Sequence, residues 1–169
     1  MPLQRAARRR LALVWLRSVG NICNLSTPTG LAVAALGRAS IRRRPEGLFL
    51  AERYRLRFPL AGAFTIGNVL ITGGSWDDLE RRFPDLLAHE EAHTWQYLYC
   101  LGLPYYLLYA ACMGWSMIRT GDRAAGNFFE RQAGLRPGGY AERPVRPVIV
   151  GVRSLAQAVR SSRASQVNP

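Results

Sequence analysis

Residues 85–96 read Asp-Leu-Leu-Ala-His-Glu-Glu-Ala-His-Thr-Trp-Gln, and they contain the pattern His-Glu-x-x-His at His89, Glu90 and His93. On an α-helix, side chains four residues apart lie on one face, one turn apart. Both imidazoles can therefore bind one tetrahedral metal ion through nitrogen. Glu90 is placed to reach a metal-bound water rather than the metal. Zinc lowers the pKa of such a water to about 7, and a neighbouring carboxylate can then remove its proton.

The alternative interpretation of this pattern is a pair of structural histidines in a helix. Two features favour a metal site instead. The chain contains only two histidines, and both belong to the pattern. The pattern also lies within an apolar run, where imidazole and carboxylate groups are costly unless they have partners.

The sequence leaves several candidates for a third ligand. No further histidine exists, so the ligand must be a carboxylate or a cysteine. Residues 126–134 are typical of a short helix with an inward-facing carboxylate at Glu130, which follows His93 by 130 − 93 = 37 residues. Asp122 is the next candidate and Glu142 the third. If Glu130 does not bind a metal, its expected role is an ion pair with a neighbouring arginine.

This region resembles the gluzincins, the thermolysin-like clan in which His-Glu-x-x-His is joined by a glutamate on a second helix. The third ligand of that clan often opens Glu-x-x-Ala or Glu-x-x-Ser, and residues 130–133, Glu-Arg-Gln-Ala, fit this pattern. Over about residues 25–140, the chain also resembles a group of small actinobacterial zincin-like proteins. The residues that carry this likeness are 65–68, 89–97, 101–104 and 127–130. The resemblance places an edge strand at 63–68, over the metal.

The patterns predict an α+β fold, a small zincin-like domain in which a short antiparallel or mixed sheet packs on the His-Glu-x-x-His helix and on a second, Glu130-bearing helix. We divide the chain into a basic amphipathic helical segment at 1–38, a metal-binding domain at 39–140, and a mobile tail rich in Arg, Pro and Ser at 141–169. Strands are predicted at 40–44, 48–58 and 63–72, with a possible bulge at Gly67. A short strand is predicted at 148–150.

These residues predict a zinc-dependent metallohydrolase, an enzyme of the metallopeptidase kind acting on a peptide or protein. One Zn²⁺ would be held by His89, His93 and Glu130, and Glu90 would be the catalytic base. Gln96, Asn127 and Glu91 are candidates to orient the ligands. Tyr105, Tyr106, Tyr109 and Tyr140 are candidates to stabilise an oxyanion. The alternative function is a non-catalytic, zinc-stabilised interaction module at a membrane surface.

Composition limits the choice of partners and compartment. The net charge is 23 − 11 = +12, yet every basic residue is arginine and the arginines are spread along the chain, so we do not expect a nucleic acid as partner. Three cysteines without a Cys-x-x-Cys pair indicate buried, reduced thiols and a cytoplasmic protein, with peripheral contact to the inner face of the membrane as a further expectation. The uncharged run from Trp95 to Ile118 is interrupted at Gly102 and Pro104, which predicts a buried core helix rather than a membrane span. The alternative is a hairpin that dips into the membrane.

Overall fold

The chain forms an α+β fold with a four-stranded mixed sheet, which confirms the predicted class. A computed structural model describes residues 2–56, 59 and 61–167. In that part of the chain there are seven helices and four strands: α1 Pro2–Cys23, α2 Ser26–Leu36, β1 Ser40–Arg43, β2 Phe49–Glu52, β3 Ala63–Ile66, β4 Val69–Thr72, α3 Trp76–Arg82, α4 Leu86–Tyr99, α5 Pro104–Thr120, α6 Phe128–Ala133 and α7 Val148–Val167.

The sheet has the strand order β1-β2-β4-β3. β1 pairs with β2 and β3 pairs with β4 in antiparallel fashion, whereas β2 and β4 run parallel. The inner strand β4 has three apolar residues followed by Thr72 and is buried along its whole length, as expected for a strand covered on both faces. Leu48, Leu50, Leu70 and Trp76 form the centre of the core beside it.

A tight hairpin replaces the single strand that the sequence predicted over 63–72. β3 ends at Ile66 and β4 begins at Val69, and these two residues are partners in the ladder. Gly67 takes a φ of 60° in the turn, where an added Cβ would lie 2.4 Å from the backbone nitrogen of Thr27. The prediction of a bulge was wrong because this glycine serves a two-residue turn, for which positive φ at the first position is favourable.

The second strand is also shorter than predicted. β2 ends at Glu52, and Arg53 adopts a left-handed φ of 58°. The backbone then turns away, and the amide of Arg55 donates to the carbonyl of Gly37. The rest of the predicted alternation, at 57 and 58, lies outside the described residues.

The chain divides into two compact units, Met1–Tyr106 and Leu107–Pro169. The boundary between them falls inside helix α5. The predicted division into three segments stays a prediction. The histidines and Glu90 belong to the first unit, and Glu130 belongs to the second.

In the first unit, buried polar side chains join α1, the β3–β4 turn and α4. The amide of Asn21 donates to the side chain of Asn68 at 2.8 Å and to the carbonyl of Thr94 at 2.7 Å. Directly after the end of α1, Asn24 donates to the carbonyl of Tyr97, one turn further along α4, at 3.3 Å. Asn21, Asn68 and Thr94 are almost fully buried, so these bonds fix the position of α4 along α1.

In the second unit, α7 occupies most of the predicted tail. The strand predicted at 148–150 was wrong, because these residues form the first turn of that helix. Arg146 precedes the helix and donates to the carbonyls of Ile118 and Met117 at 2.9 and 2.8 Å. Gly151 follows at a point where an added Cβ would lie 1.9 Å from the carbonyl oxygen of Ile118. Close backbone contact with α5 therefore favours the helix, and the mobility of the tail stays a prediction.

Two expectations about burial were wrong. Helix α5 leaves Leu107, Leu108 and Trp115 exposed, so it is not a buried core helix. Cys23 is exposed, and none of the three cysteines forms a disulfide. Within the described residues no single helix has the length and apolarity of a membrane span; α4 and α5 together meet both conditions, but across a bend of 118°.

Candidate metal centre

The two histidines face each other on α4. The Nε2 atoms of His89 and His93 are 3.2 Å apart, and their rings are perpendicular. Two nitrogens that each lie 2.0–2.1 Å from one tetrahedral ion are about 3.3 Å apart. Both residues are buried. The predicted helix spacing has therefore produced a pair of nitrogens at the separation that a single ion requires.

His93 is held in the orientation that a ligand needs. The side-chain oxygen of Gln96 lies 2.7 Å from its Nδ1, and the hydroxyl of Tyr105 lies 3.2 Å from the same nitrogen. Tyr105 also donates to Gln96 at 3.1 Å. An amide oxygen only accepts, so this contact fits a tautomer of His93 with its proton on Nδ1, which would leave the lone pair of Nε2 for a metal ion. Gln96, a predicted orienting residue, is in place.

Replacing Gln96 by leucine is expected to weaken zinc binding about 10–100-fold, because partners of this kind set the orientation and basicity of a ligating imidazole. Competition against a chromophoric chelator measures the change. Gln96→Glu is the matched control, since a carboxylate also accepts from Nδ1, and it should retain the affinity. Equal affinities for the wild type and Gln96→Leu would show that the bond does not support metal binding.

Glu90 is buried and has a partner on the edge strand of the sheet. The hydroxyl of Thr65, on β3, lies 2.7 Å from Oε2 of Glu90 and 3.1 Å from its carbonyl oxygen. The carbonyl of Thr65 in turn accepts from the hydroxyl of Tyr97 at 3.2 Å. The carboxylate is thus fixed at one oxygen by a strand that is far from it in sequence.

In the second unit, Glu130 lies in the first turn of α6 and is buried. Asn127 begins this helix, and its side chain accepts from the amide of Phe129 at 3.0 Å. Tyr109 donates to Oε1 of Glu130. Burial, and then the charge of Glu130, raise the pKa of Tyr109 above its ordinary value, so the phenol keeps the proton that it donates.

Among the residues that the structure describes, His89, His93 and Glu130 are the buried group that could hold a metal ion, and each offers one ligand atom. The alternatives do not belong to this group. Asp122 accepts from the amides of Ala124 and Ala125, both at 2.8 Å. Burial would raise its pKa, but these amides and nearby arginines lower it. Glu142 is exposed and lines a shallow cleft beside Arg131 and Arg136.

The remaining candidates have other contacts. Glu91 forms an ion pair with the buried Arg17 and therefore ties α4 to α1. Asn127 caps the N-terminus of α6, the helix that contains Glu130. The contacts of Thr65 with Glu90 and of Tyr105 with Gln96 were not predicted, although the resemblance had placed the strand of Thr65 over the metal. Thr65 is 25 residues from Glu90, and only the folded sheet brings the two together.

We compared the chain with protein-family models, with curated proteins and with solved structures, and none matches it.

Proposed function

We propose that the protein is a zinc-dependent hydrolase of peptide or other amide bonds, built on a small zincin-like domain. The observation that carries this proposal is the pair of buried Nε2 atoms 3.2 Å apart, with Glu90 next to one of them in the chain. Two imidazoles and one carboxylate are a donor set typical of catalytic zinc, which keeps a fourth position for water. His89, His93 and Glu130 would hold the ion, as their grouping supports.

When bound, zinc would acidify a water molecule and polarise the scissile carbonyl. The chain's own groups handle the protons. Thr65 occupies one oxygen of Glu90, which leaves the other to accept a proton from the attacking water. The same carboxyl would then give this proton to the leaving amine, so that Glu90 ends each cycle ionised. Tyr105 and Gln96 would keep the ring of His93 fixed during these steps.

A non-catalytic zinc-stabilised module is the second candidate. The bond between Thr65 and Glu90 favours it, because it gives the buried carboxylate a partner without any substrate. The two functions differ in what the chain does to a peptide, and not in whether it binds zinc.

The test is hydrolysis of a mixed peptide library by the full chain, with new termini read by mass spectrometry. We expect cleavage by the zinc-loaded protein, loss of cleavage after chelation, and recovery when Zn²⁺ is added back. Mg²⁺ added in its place is the control, since it prefers oxygen ligands. A protein that takes up zinc and releases no new termini would support the non-catalytic module.

A further inference from the structure

Helix α1 has its apolar side chains on the outside. Leu11, Trp15 and Ile22 are 69%, 66% and 51% exposed, and their spacing of four and seven residues places them in one stripe along the helix. The inward side instead carries Arg17 and Asn21, both fully buried. This is the reverse of a helix that packs its apolar face on a protein core.

Two leucines continue this surface at the end of α1. Leu25 and Leu101 are 58% and 76% exposed, and each adopts a left-handed backbone with φ of 67° and 59°. Their segments touch, since a Cβ added at Gly102 would lie 2.5 Å from the carbonyl oxygen of Asn24. Left-handed backbone disfavours a branched side chain, and water disfavours leucine. Each position thus carries two costs that no described contact offsets.

We call these five residues the outer face: Leu11, Trp15, Ile22, Leu25 and Leu101. The charge around it has one sign. Arg5, Arg8, Arg9 and Arg10 are exposed in the first turns of α1. The two sequence segments that supply the outer face, 1–45 and 92–121, contain no aspartate or glutamate.

We propose that the outer face docks on an anionic lipid bilayer. A helix with an apolar stripe and arginines lies in the plane of the interface, with tryptophan at the level of the headgroups. Arginines there are attracted by lipid phosphates. Leu25 and Leu101 would enter the acyl region, which removes them from water. A second copy of the chain is a poorer partner for this face, because it brings the same arginines and no carboxylate to neutralise them.

The test uses the full chain and two kinds of vesicle. We expect binding to phosphatidylcholine vesicles that contain phosphatidylglycerol, about tenfold or more weaker binding to phosphatidylcholine alone, and loss of affinity as salt increases. Sedimentation measures the bound fraction. Glu90→Gln should bind like the wild type, so this proposal and the proposed hydrolase fail separately.

The deciding variants are Leu25→Asn and Leu101→Asn. Asparagine tolerates left-handed backbone, so each variant is expected to raise Tm in solution, by about 2–4 °C. Each should also lower vesicle affinity about fivefold, because an inserted apolar side chain is lost. If these leucines had only a structural role, their replacement would not raise Tm and lower vesicle affinity at the same time.

Leu36→Asn is the matched control. Leu36 is 74% exposed and lies at the other end of α2 from Leu25, about 16 Å away along the helix, so its replacement should leave vesicle affinity unchanged. Absence of binding to both vesicles, or unchanged affinity in Leu25→Asn and Leu101→Asn, would overturn the proposal. A dimer in light scattering that Leu101→Asn dissociates would assign the outer face to a second copy instead.

Discussion

Glu90→Gln is expected to keep the bound zinc and to lower peptide hydrolysis by a factor of about 10²–10⁴, the usual contribution of a general base. Glutamine has the size of glutamate and can keep a hydrogen bond to Thr65, so the fold and the two histidines should be undisturbed. What it cannot do is accept a proton from water. Elemental analysis gives the zinc content, and the rate of peptide cleavage under identical conditions gives the effect.

Asp85→Asn is the matched control for this prediction. Asp85 precedes the same helix and is exposed, so neutralising it changes the charge near α4 without touching the histidines. Its rate should stay within about twofold of the wild type. If Glu90→Gln cleaved peptides as fast as Asp85→Asn, the proposed role of Glu90 would be wrong even though the zinc site remained.

Glu130→Ala is expected to reduce zinc from one ion per chain to a substoichiometric amount after dialysis. Loss of one of three protein ligands leaves two imidazoles, and zinc binding contributes to folding stability when the site exists only in the folded chain. At a free zinc concentration of about 100 times the dissociation constant, this linkage is worth about 2.7 kcal/mol. The zinc-dependent increase in Tm should therefore disappear in Glu130→Ala and in His93→Ala.

Asp122→Asn and Glu142→Gln are the controls, because both carboxylates were candidates for the third ligand. Each should bind one zinc ion like the wild type. The Asp122 carboxylate accepts from the backbone amides of Ala124 and Ala125, so its replacement also affects the stability of this loop. The zinc content of Asp122→Asn is therefore compared with that of the wild type at temperatures equally far below the Tm of each protein. Zinc content that falls in Asp122→Asn and persists in Glu130→Ala would exchange the roles of these two residues.

The helix of the metal motif could be predicted because its signal is local. The spacing of His89 and His93 defines one face, and Gly102 ends the apolar pattern soon after. The hairpin had a local signal too, but it was overlooked. Residues 63–72 were predicted to form one strand, although Gly67 and Asn68 are a pair typical of a two-residue hairpin turn.

The first turn of the helix at 148–167 was predicted as a strand for a related reason. Val148, Ile149 and Val150 have side chains that favour strands, but none of the strands in the described part of the chain pairs with them. Arg146 instead holds this segment at the end of α5, and the chain continues as a helix. Tertiary contact thus outweighed local preference, as it often does in short apolar runs.

The metal-binding pattern of the candidate site could be predicted from the sequence. The contacts that other elements make with it could not. Glu90 follows directly from the motif, and Gln96 lies three residues after His93 on the same helix. Thr65 and Tyr105 reach the site from other elements, so their roles depend on how those elements pack. Local sequence therefore contained the ligands of α4 and the orienting residue Gln96, whereas the contacts of Thr65 and Tyr105 became visible only in the fold.

The asparagines between α1 and α4 have a consequence for the lifetime of the site. If α1 detached, the carbonyl of Thr94 would lose its hydrogen bond from Asn21, and the carbonyl of Tyr97 would lose its hydrogen bond from Asn24. The first of these two bonds is buried. The two helices should therefore open together, as one cooperative unit, and amide hydrogen exchange in both would report a shared free energy of opening. Cleavage of the N-terminal helix by a protease would then destabilise α4 and disturb the positions of His89 and His93, although both histidines remain in the chain.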